Sequence, residues 1–542
     1  MTHREDRAVT PTRRMILGGS AALLTGGRWA PSAQAQPAGQ PKRGGTVTAT
    51  WGGLEPQALF VPGGGGSSPF MTSTKVLERL LAFTQDLRFE PVLARAVEAS
   101  PDFRTYTVRL REGVTWHDGK PFTAEDLVYT VTQFWKPIAL GVALKALSGA
   151  EAVDTNTVAL RFTTPVPEFF LRSTLASQFA QVLPKHLYDG RDIITNPVNN
   201  RPIGTGPWKV REWVRGSHVE YARNANYWEA GKPYLDRLFI RWWRDPASRA
   251  AAFEAGELDL GLSNPVPVPE IERLGKSGRF VATTKGYETA SWCSTIEFNQ
   301  RRDVVKNRAV RQAILHGLDR QLIADTVYFG RAKPGTSPVH SNNAVFYTAD
   351  LPQYSYDPHK AAQLLDAAGL PRKRGGRFTV QLLTAAWFEE NVKLGQFAKQ
   401  ALEDLDIRVE LTAPDRATSL KRIYTDYDYD IAISNYTAPI EPVPVITQYF
   451  TTDGIVRGAA FRNATGYSSP AMDEIVGRLA IEVDEGRRRA LAADFARLAA
   501  TDVPHAPIVE FDSFTLARKE LRNTNTYANH IGESWADLWL DR

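Results

Sequence analysis

The stretch from Leu110 to Thr130 reads LREGVTWHDGKPFTAEDLVYT, and it contains the end of one element and the start of another. Polar and apolar residues alternate from Tyr106 to Leu110, which predicts a strand. Thr123 is followed three residues later by Asp126, a spacing typical of the capping box that begins a helix. The apolar residues after this cap fall on one helical face: Leu127, Val131, Phe134 and Trp135. The stretch therefore predicts a strand, a turn and an amphipathic helix.

A helix followed by a short strand is predicted in both halves of the chain. In the first half, residues 247–255 have a helical pattern and residues 258–260 have the pattern of a strand. In the second half, residues 419–424 and 430–433 repeat this arrangement. Strands and helices alternate throughout, and no repeat period is present. The sequence therefore predicts two α/β lobes rather than one long barrel.

The motif at Leu110 to Thr130 closely resembles the signature of the extracellular solute-binding proteins of family 5, the peptide/nickel group that serves ABC importers. Further motifs similar to those of the family follow in the family's order along nearly the whole chain. They are PIGTGP at 202–207, RN at 223–224, YW at 227–228, GKPYLD at 231–236, GELD at 256–259, FN at 298–299, VRQAI at 310–314, YDP at 356–358 and LLDAAG at 364–369. So many motifs in one order make the resemblance specific.

The resemblance implies an α/β, two-lobed periplasmic-binding-protein-like fold with an extra subdomain in the first lobe and a ligand cleft between the lobes. It implies that lobe I spans residues 36–290, with the subdomain at about 71–200. Lobe II would span residues 291–508, and residues 509–542 would return to lobe I. The lobes are expected to close over the ligand about hinge strands.

Composition and charge exclude several other classes of protein. Hydrophobic residues make up 43% of the 542 residues and charged residues 23%, as in an ordinary globular protein. No stretch reaches the roughly 18 to 20 apolar residues of a membrane span, which excludes a multi-span transporter. The net charge of +5 includes five Arg and two acids within the first 35 residues. Because no basic patch is evident in the rest, no nucleic-acid partner is predicted.

The first 35 residues have the pattern of an export signal. Arg13 and Arg14 form a twin-arginine pair, an apolar segment rich in Gly and Ala follows, and Ala33-Gln34-Ala35 has the small-x-small form of a cleavage site. No cysteine follows directly, so no lipid anchor is predicted. The interpretation is a periplasmic protein whose signal peptide, residues 1–35, is cleaved near Ala35.

The resemblance implies four segments that face the cleft. They are the end of the first strand, the crossing into lobe II, the loop after a predicted strand at 378–383, and the segment after the predicted strand at 430–433. The candidate ligand-binding residues are Trp51, Gly52, Trp292, Trp387, Phe388, Glu389, Asn435, Tyr436, Thr437 and Glu441. No catalytic residue and no metal ligand is predicted.

The last of these segments departs from the pattern of peptide-binding relatives. Such relatives often carry Trp-x-x-Asp-x-x-Asp-Pro here, and the first Asp pairs with the α-amino group of the ligand. This chain reads NYTAPIEP at 435–442, where Glu441 can stand for the second acid and Tyr436 for the Trp if the spacing contracts by one residue. The first acid is absent. Because a buried ammonium without a counter-charge is costly, a free-amine anchor is not expected unless Glu389 or Glu441 substitutes.

These features predict a receptor, not an enzyme, that delivers a peptide or peptide-like solute to an inner-membrane ABC permease. The alternatives are a receptor of the same fold for a non-peptide polar solute, such as an opine-like compound or an oligosaccharide, and a chemoreceptor-coupled role. An exported hydrolase is disfavoured, because the sequence contains neither G-x-S-x-G nor H-E-x-x-H. The nine His are dispersed without ligand spacing, so nickel and cofactors are not predicted. The protein is expected to be a monomer.

Export through the twin-arginine pair is the first testable prediction. We expect the periplasmic protein to begin at Gln36, and we expect replacement of Arg13 and Arg14 by Lys to abolish export, because the export machinery reads the arginine pair. The measurement is the intact mass of protein from the periplasmic fraction. A mature N-terminus well downstream of Gln36, or retention of the wild-type chain in the cytoplasm, would contradict the interpretation.

Overall fold

A computed structural model describes residues 39–51, 55–63, 67–386, 389–443 and 445–542, so the predicted export signal lies outside the described residues. Residues 41–542 form one compact unit. The described strands are β1 (Thr46–Trp51), β2 (Leu81–Phe83), β3 (Phe89–Pro91), β4 (Ala94–Ala99), β5 (Thr105–Leu110), β6 (Leu147–Asp154), β7 (Thr157–Phe162), β8 (Trp208–Val214), β9 (His218–Arg223), β10 (Arg237–Arg241), β11 (Leu260–Leu262), β12 (Phe280–Thr283), β13 (Ser291–Phe298), β14 (Ala332–Pro334), β15 (Phe378–Thr384), β16 (Ile407–Thr412), β17 (Ile431–Ala438), β18 (His505–Phe511), β19 (Thr515–Arg518), β20 (Leu521–Arg522) and β21 (Trp539–Leu540).

The α-helices lie between these strands. The described helices are α1 (Ser67–Ser73), α2 (Ala124–Tyr129), α3 (Glu168–Ala176), α4 (Lys185–Tyr188), α5 (Pro246–Ala255), α6 (Val268–Lys276), α7 (Asp303–Lys306), α8 (Arg308–Gly317), α9 (Arg320–Thr326), α10 (Pro358–Ala367), α11 (Glu389–Glu403), α12 (Arg416–Lys421), α13 (Pro470–Ile481) and α14 (Glu485–Asp502). Two π-helical segments continue α2 and α12, at Thr130–Ala139 and Arg422–Asp426.

Three sheets organise the compact unit. The first sheet has the order β12-β19-β11-β1-β10-β9-β8, and β1 is parallel to both of its neighbours. The second sheet has the order β14-β18-β13-β17-β15-β16. In it, β13 is antiparallel to β17 and β18, while β15 is parallel to β16 and β17. The third sheet is antiparallel, with the order β4-β5-β7-β6.

The chain passes between the first and second sheets twice. In the first crossing, β12 of the first sheet ends at Thr283, and β13 of the second sheet begins at Ser291. β18 then ends at Phe511, and β19 joins the first sheet from Thr515. The two crossings therefore lie beside the start of β13 and the end of β18, which are neighbouring strands.

The strand and helix predicted at Leu110 to Thr130 are confirmed. The N–H of Thr123 donates to the Asp126 carboxylate at 3.0 Å, and both bonds of the capping box are present. Leu127, Val131 and Phe134 are buried at 2% exposure or less, in one core cluster. Beyond Tyr129 the helix continues as a π-helix.

The predicted strand at 258–260 is wrong by two residues, since β11 spans Leu260–Leu262. At Asp259 the pairing with β1 is only partly made by the backbone: its N–H donates to Thr48 O at 2.9 Å, but its carboxylate rather than a backbone carbonyl accepts the N–H of Thr48, also at 2.9 Å. Asp259 also pairs with Arg518 at 3.1 Å. The predicted strand at 430–433 is confirmed and extends further, to Ala438.

One face of the second sheet buries ionisable groups. Glu297 on β13 is fully buried and accepts a hydrogen bond from Ser434 of β17. His505, its cross-strand neighbour on β18, lies 4.0 Å away and packs against the ring of Tyr449. Burial raises the pKa of Glu297 to about 7 and lowers the pKa of His505 to about 3. Both groups are therefore neutral in the folded protein over part of the mildly acidic range.

The pKa of Glu297 gives a pH dependence of stability. A carboxyl whose folded pKa is raised binds its proton more tightly in the folded state, so stability falls as pH rises from about 4.5 to about 7. We expect Glu297→Gln to remove this loss, which amounts to about 3 kcal/mol above pH 7. Urea unfolding from pH 4 to 8 measures it, with exposed Glu389→Gln as the control. Parallel pH profiles of wild type and Glu297→Gln would contradict the expectation.

Candidate functional site

The start of β13 and the end of β18, together with Tyr328 after α9, form an aromatic surface beside the crossings. In the register, Trp292 of β13 opposes Thr437 of β17 and Phe511 of β18, so their side chains share one face. The Trp292 and Phe511 rings are nearly parallel, at 15° and 6.4 Å between centroids. The Tyr328 ring lies 5.0 Å from that of Phe511. We call Trp292, Phe511 and Tyr328 the aromatic shelf; Thr437, which is exposed, lies at its edge.

A chain of buried side-chain hydrogen bonds lies next to the aromatic shelf. Asn435 Nδ2 donates to Ser294 Oγ at 2.7 Å, and Ser294 is bonded to the Tyr328 hydroxyl at 2.7 Å. Asn391 Nδ2 donates to Asn435 Oδ1 at 2.5 Å and to Ala385 O at 2.9 Å. These bonds hold the start of α11 against the end of β17, and thereby position the strand ends.

Sequence reasoning missed Asn391, which is fully buried in the first turns of α11. Its local pattern is that of any polar residue near a helix start, and only the contact with Asn435 distinguishes it. Glu389, two residues earlier, was predicted as a site residue and lies exposed at the helix start. Its carboxylate pairs with Lys393 at 2.8 Å.

Tyr436 lies on the opposite face of β17 from Thr437. It opposes Cys293 in the register, and its hydroxyl donates to Pro338 O at 2.7 Å. Its ring lies 5.8 Å from that of Tyr449 and 5.6 Å from that of His505. Tyr436 is thus part of a buried aromatic group, with 5% of its surface exposed.

Glu441 is the partner of a buried arginine. The two terminal guanidinium nitrogens of Arg488 donate to its carboxylate, at 2.9 and 3.0 Å, and the Val443 N–H donates at 3.1 Å. The side chains of Glu441 and Arg488 are only 7% and 2% exposed. The counter-charge of Glu441 is therefore already supplied within the chain.

The remaining predicted contacts are Trp51, Gly52, Trp387 and Phe388. Trp51 ends β1 opposite Leu262 and is half-buried, and its Nε1 has no hydrogen-bond partner among the described residues. Gly52, Trp387 and Phe388 lie outside the described residues. The structure thus brings Trp292, Asn435 and Thr437 together on one face, whereas Tyr436 and Glu441 lie elsewhere. Contact of any of them with a ligand stays a prediction.

One group of potential metal ligands lies in the described part of the chain. Cys293, His340 and Glu510 each offer an atom within 4.8 Å of the others, and all three are buried. Lys333 lies 3.6 Å from the Glu510 carboxylate, and the N–H of Asn342 donates to His340 Nδ1 at 3.0 Å. Burial raises the pKa of the Cys293 thiol. Because Lys333 already supplies the positive charge, this group favours an ion pair over a metal site.

The model of the bacterial extracellular solute-binding proteins, family 5 Middle, matches residues 88–456, which is more than half of the chain. The chain belongs to this family. This membership confirms the resemblance seen in the motifs from Leu110 onward. No helix of the described residues is long and apolar enough to cross a membrane.

Two relatives and one solved structure illustrate the similarity. A protein of Brucella ovis named as an ABC transporter peptide-binding protein is 32% identical over 297 residues, 53% of each chain. The glutathione-binding protein GsiB of Pectobacterium atrosepticum is 29% identical, over 62% of this chain and 63% of its own. The chain thus spans about half the length of the Brucella relative in this match. The oligopeptide-binding protein AppA of Bacillus subtilis, in complex with a nonapeptide, has a TM-score of 0.78 at 21% identity and covers 93% of this chain and 100% of its own.

The structural likeness confirms the fold class that the sequence predicts, an α/β, two-lobed periplasmic-binding-protein-like fold. At this level of identity it concerns the fold alone. The exact boundaries of the lobes stay predictions of the family resemblance.

The buried pair of Glu441 and Arg488 allows a test of whether Glu441 stabilises the fold rather than contacting a ligand. We expect Glu441→Gln to lower the free energy of unfolding by about 3 to 5 kcal/mol, because it leaves the Arg488 charge buried without its partner. Glu389→Gln, at an exposed pair, should change stability by less than about 1 kcal/mol. Urea unfolding of both variants is the measurement. A Glu441→Gln variant as stable as the wild type would show that the pair does not stabilise the fold.

Proposed function

We propose that this protein is a non-catalytic receptor that captures a peptide or peptide-like solute between its two lobes and delivers it to an ABC importer. Family membership supports a solute-binding role. Among the relatives, one is named for peptides and one for glutathione, a modified tripeptide, and the AppA structure holds a nonapeptide. The observation that carries the proposal is the half-buried Trp292 beside exposed Thr437, next to both crossings between the sheets.

The aromatic shelf is proposed as one wall of the ligand site. Trp292 offers a flat apolar surface, and the Thr437 hydroxyl offers a hydrogen-bond donor and acceptor. Trp51 is proposed as the contribution of lobe I. Its Nε1 has no partner among the described residues, which supports this, because an indole N–H usually has an acceptor when buried. Gly52, Trp387, Phe388 and Glu389 are proposed from the resemblance alone. Asn435, Tyr436 and Glu441 are proposed to act by holding β17 and the turn after it.

The ligand is proposed not to depend on a free α-amino group. With Glu441 as the second acid, the first acid of the pattern falls at Ala438, and the polar residues Asn435 and Thr437 near it are neutral. Glu441 is neutralised by Arg488, and Glu389 is exposed and paired with Lys393. None of these groups offers a desolvated carboxylate to the ammonium group of a ligand. An ion pair with a free α-amino group therefore does not contribute to the binding energy.

The cellular context of the proposal follows from the signal pattern and the family. We propose a periplasmic monomer, cleaved near Ala35, with an inner-membrane ABC permease as its partner. Lobe I is proposed to comprise residues 36–290 and 509–542, with the subdomain at about 71–200, and lobe II residues 291–508. The membership of the strands in the two sheets supports a division at residue 291, where β13 begins, whereas β18 continues in the second sheet to Phe511, three residues past the proposed end of lobe II.

Titration calorimetry with peptides and their N-acetylated forms tests the proposal. We expect both forms to bind with similar affinity, without turnover by mass spectrometry, and with a smaller radius of gyration in solution scattering as closed lobes become populated. Trp292→Ala should weaken binding by about 1 to 3 kcal/mol, since a large apolar contact is lost.

Tyr356→Ala, which removes an exposed aromatic ring, is the matched control and should bind as the wild type does. Tight binding of free peptides that disappears on N-acetylation would refute only the proposal that binding does not depend on a free α-amino group. Unchanged affinity of Trp292→Ala would refute the aromatic shelf as a wall of the site. Hydrolysis of the bound compound by purified protein would refute the receptor function.

A further inference from the structure

A cavity lies away from the strand ends of the second sheet, where the peptide site is proposed. It has a volume of about 220 Å³, and all of its lining residues belong to residues 74–229 or 527–536. No residue of β13, β17 or β18 lines it. A cavity of about 150 Å³ suffices for benzene, so this one can admit a small organic molecule.

Glu78 in the wall of this cavity is a buried carboxylate that has no counter-ion among the described residues. It is 5% exposed and accepts three hydrogen bonds, from the Tyr227 hydroxyl at 2.7 Å, Trp228 Nε1 at 3.0 Å and Thr205 Oγ1 at 2.8 Å. All three donors are neutral, and no cation forms an ion pair with Glu78 among the described residues. Burial of a carboxylate without a cation is costly, and a cation in the cavity would offset that cost.

The other charged groups of the wall leave an excess of negative charge. The lining includes four carboxylates, of Glu78, Glu90, Glu229 and Glu533, and two guanidinium groups, of Arg79 and Arg111. Glu533 pairs with Arg79, and Glu229 pairs with Lys232 at 2.6 Å. For Glu90, as for Glu78, the described residues provide no ion pair. Arg111 has only carbonyl partners, Val92 O and Pro91 O, and no ion pair among the described residues. A ligand in this cavity therefore meets two unpaired acids and one unpaired guanidinium group, which leaves a net negative charge.

An independent observation comes from Gln181, which also lines the cavity and is 2% exposed. Its Nε2 donates to Ser73 Oγ at 2.8 Å, whereas its Oε1 has no partner among the described residues. A buried amide oxygen without a donor is rare, because it forfeits a hydrogen bond that water would provide. A ligand with N–H groups would satisfy it.

Aromatic rings complete the wall. Tyr227, Trp228 and Tyr527 all line the cavity, and the rings of Tyr227 and Trp228 are 5.1 Å apart. The Arg111 guanidinium already lies over the Trp228 ring, 4.4 Å from its centroid, so Tyr227 and Tyr527 are the rings left to attract an organic cation. We propose that this cavity binds a small organic cation, a primary ammonium or guanidinium compound, with Glu78 and Glu90 as counter-charges and Gln181 Oε1 as an acceptor.

Calorimetric titration of the full chain with agmatine and putrescine, and with uncharged 1,4-butanediol, tests this proposal. We expect the two cations to bind and the diol not to bind. Glu90→Gln should weaken cation binding about tenfold, and Gln181→Met should also weaken it. Glu112→Gln removes the same charge from an exposed position outside the lining and should leave binding unchanged.

Trp292→Ala distinguishes this cavity from the proposed peptide site. Cation binding should persist in that variant, and a failure of peptide binding would leave this result unaffected. Absence of cation binding at millimolar concentration, or equal binding of the diol, would overturn the proposal. Loss of cation binding in Trp292→Ala together with unchanged binding in Glu90→Gln would also overturn it, because the cation would then occupy the cleft.

Discussion

The antiparallel register of β13 with β17 and β18 is the constraint on which the candidate site depends. Trp292 opposes Thr437 and Phe511, while the next residue, Cys293, opposes Tyr436 and Glu510. Because successive side chains of a strand point to opposite faces, a shift of one residue would exchange these two rows. The register thus decides which row forms the aromatic surface beside the crossings and which row is buried with ionisable groups.

Buried charge is handled in two different ways in this molecule. Glu441 and Arg488 neutralise each other through two hydrogen bonds, so the turn after β17 is held by a closed pair. Glu78 instead has three neutral donors and faces a cavity. The first arrangement is complete within the chain, whereas the second has no counter-ion among the residues that the structure describes. This contrast supports the proposed supporting role of Glu441 and the proposed binding of a cation beside Glu78.

The local signals in the sequence predicted local structure well. The capping box at Thr123 and Asp126 began a helix because both of its hydrogen bonds lie within one turn. The strand at 258–260 was misplaced, because the Asp259 carboxylate accepts an N–H from Thr48, which is 211 residues away in the chain. Similarly, no local pattern distinguishes Asn391, whose partner Asn435 lies 44 residues further along. Tyr436 was selected from a motif, but its exposure depends on the face of β17 that it occupies.

By itself, the sequence determined the family and the alternation of strands and helices, since these features depend on motifs, caps and periodicities of a few residues. For the ligand site it supplied only a set of predicted residues. Only the tertiary structure decided that Trp292 and Thr437 share a face, that Arg488 neutralises Glu441, and that residues 527–536 close a cavity over Glu78. The physical reason is that burial and charge compensation depend on groups brought together from distant parts of the chain, and no local pattern encodes which distant group will arrive.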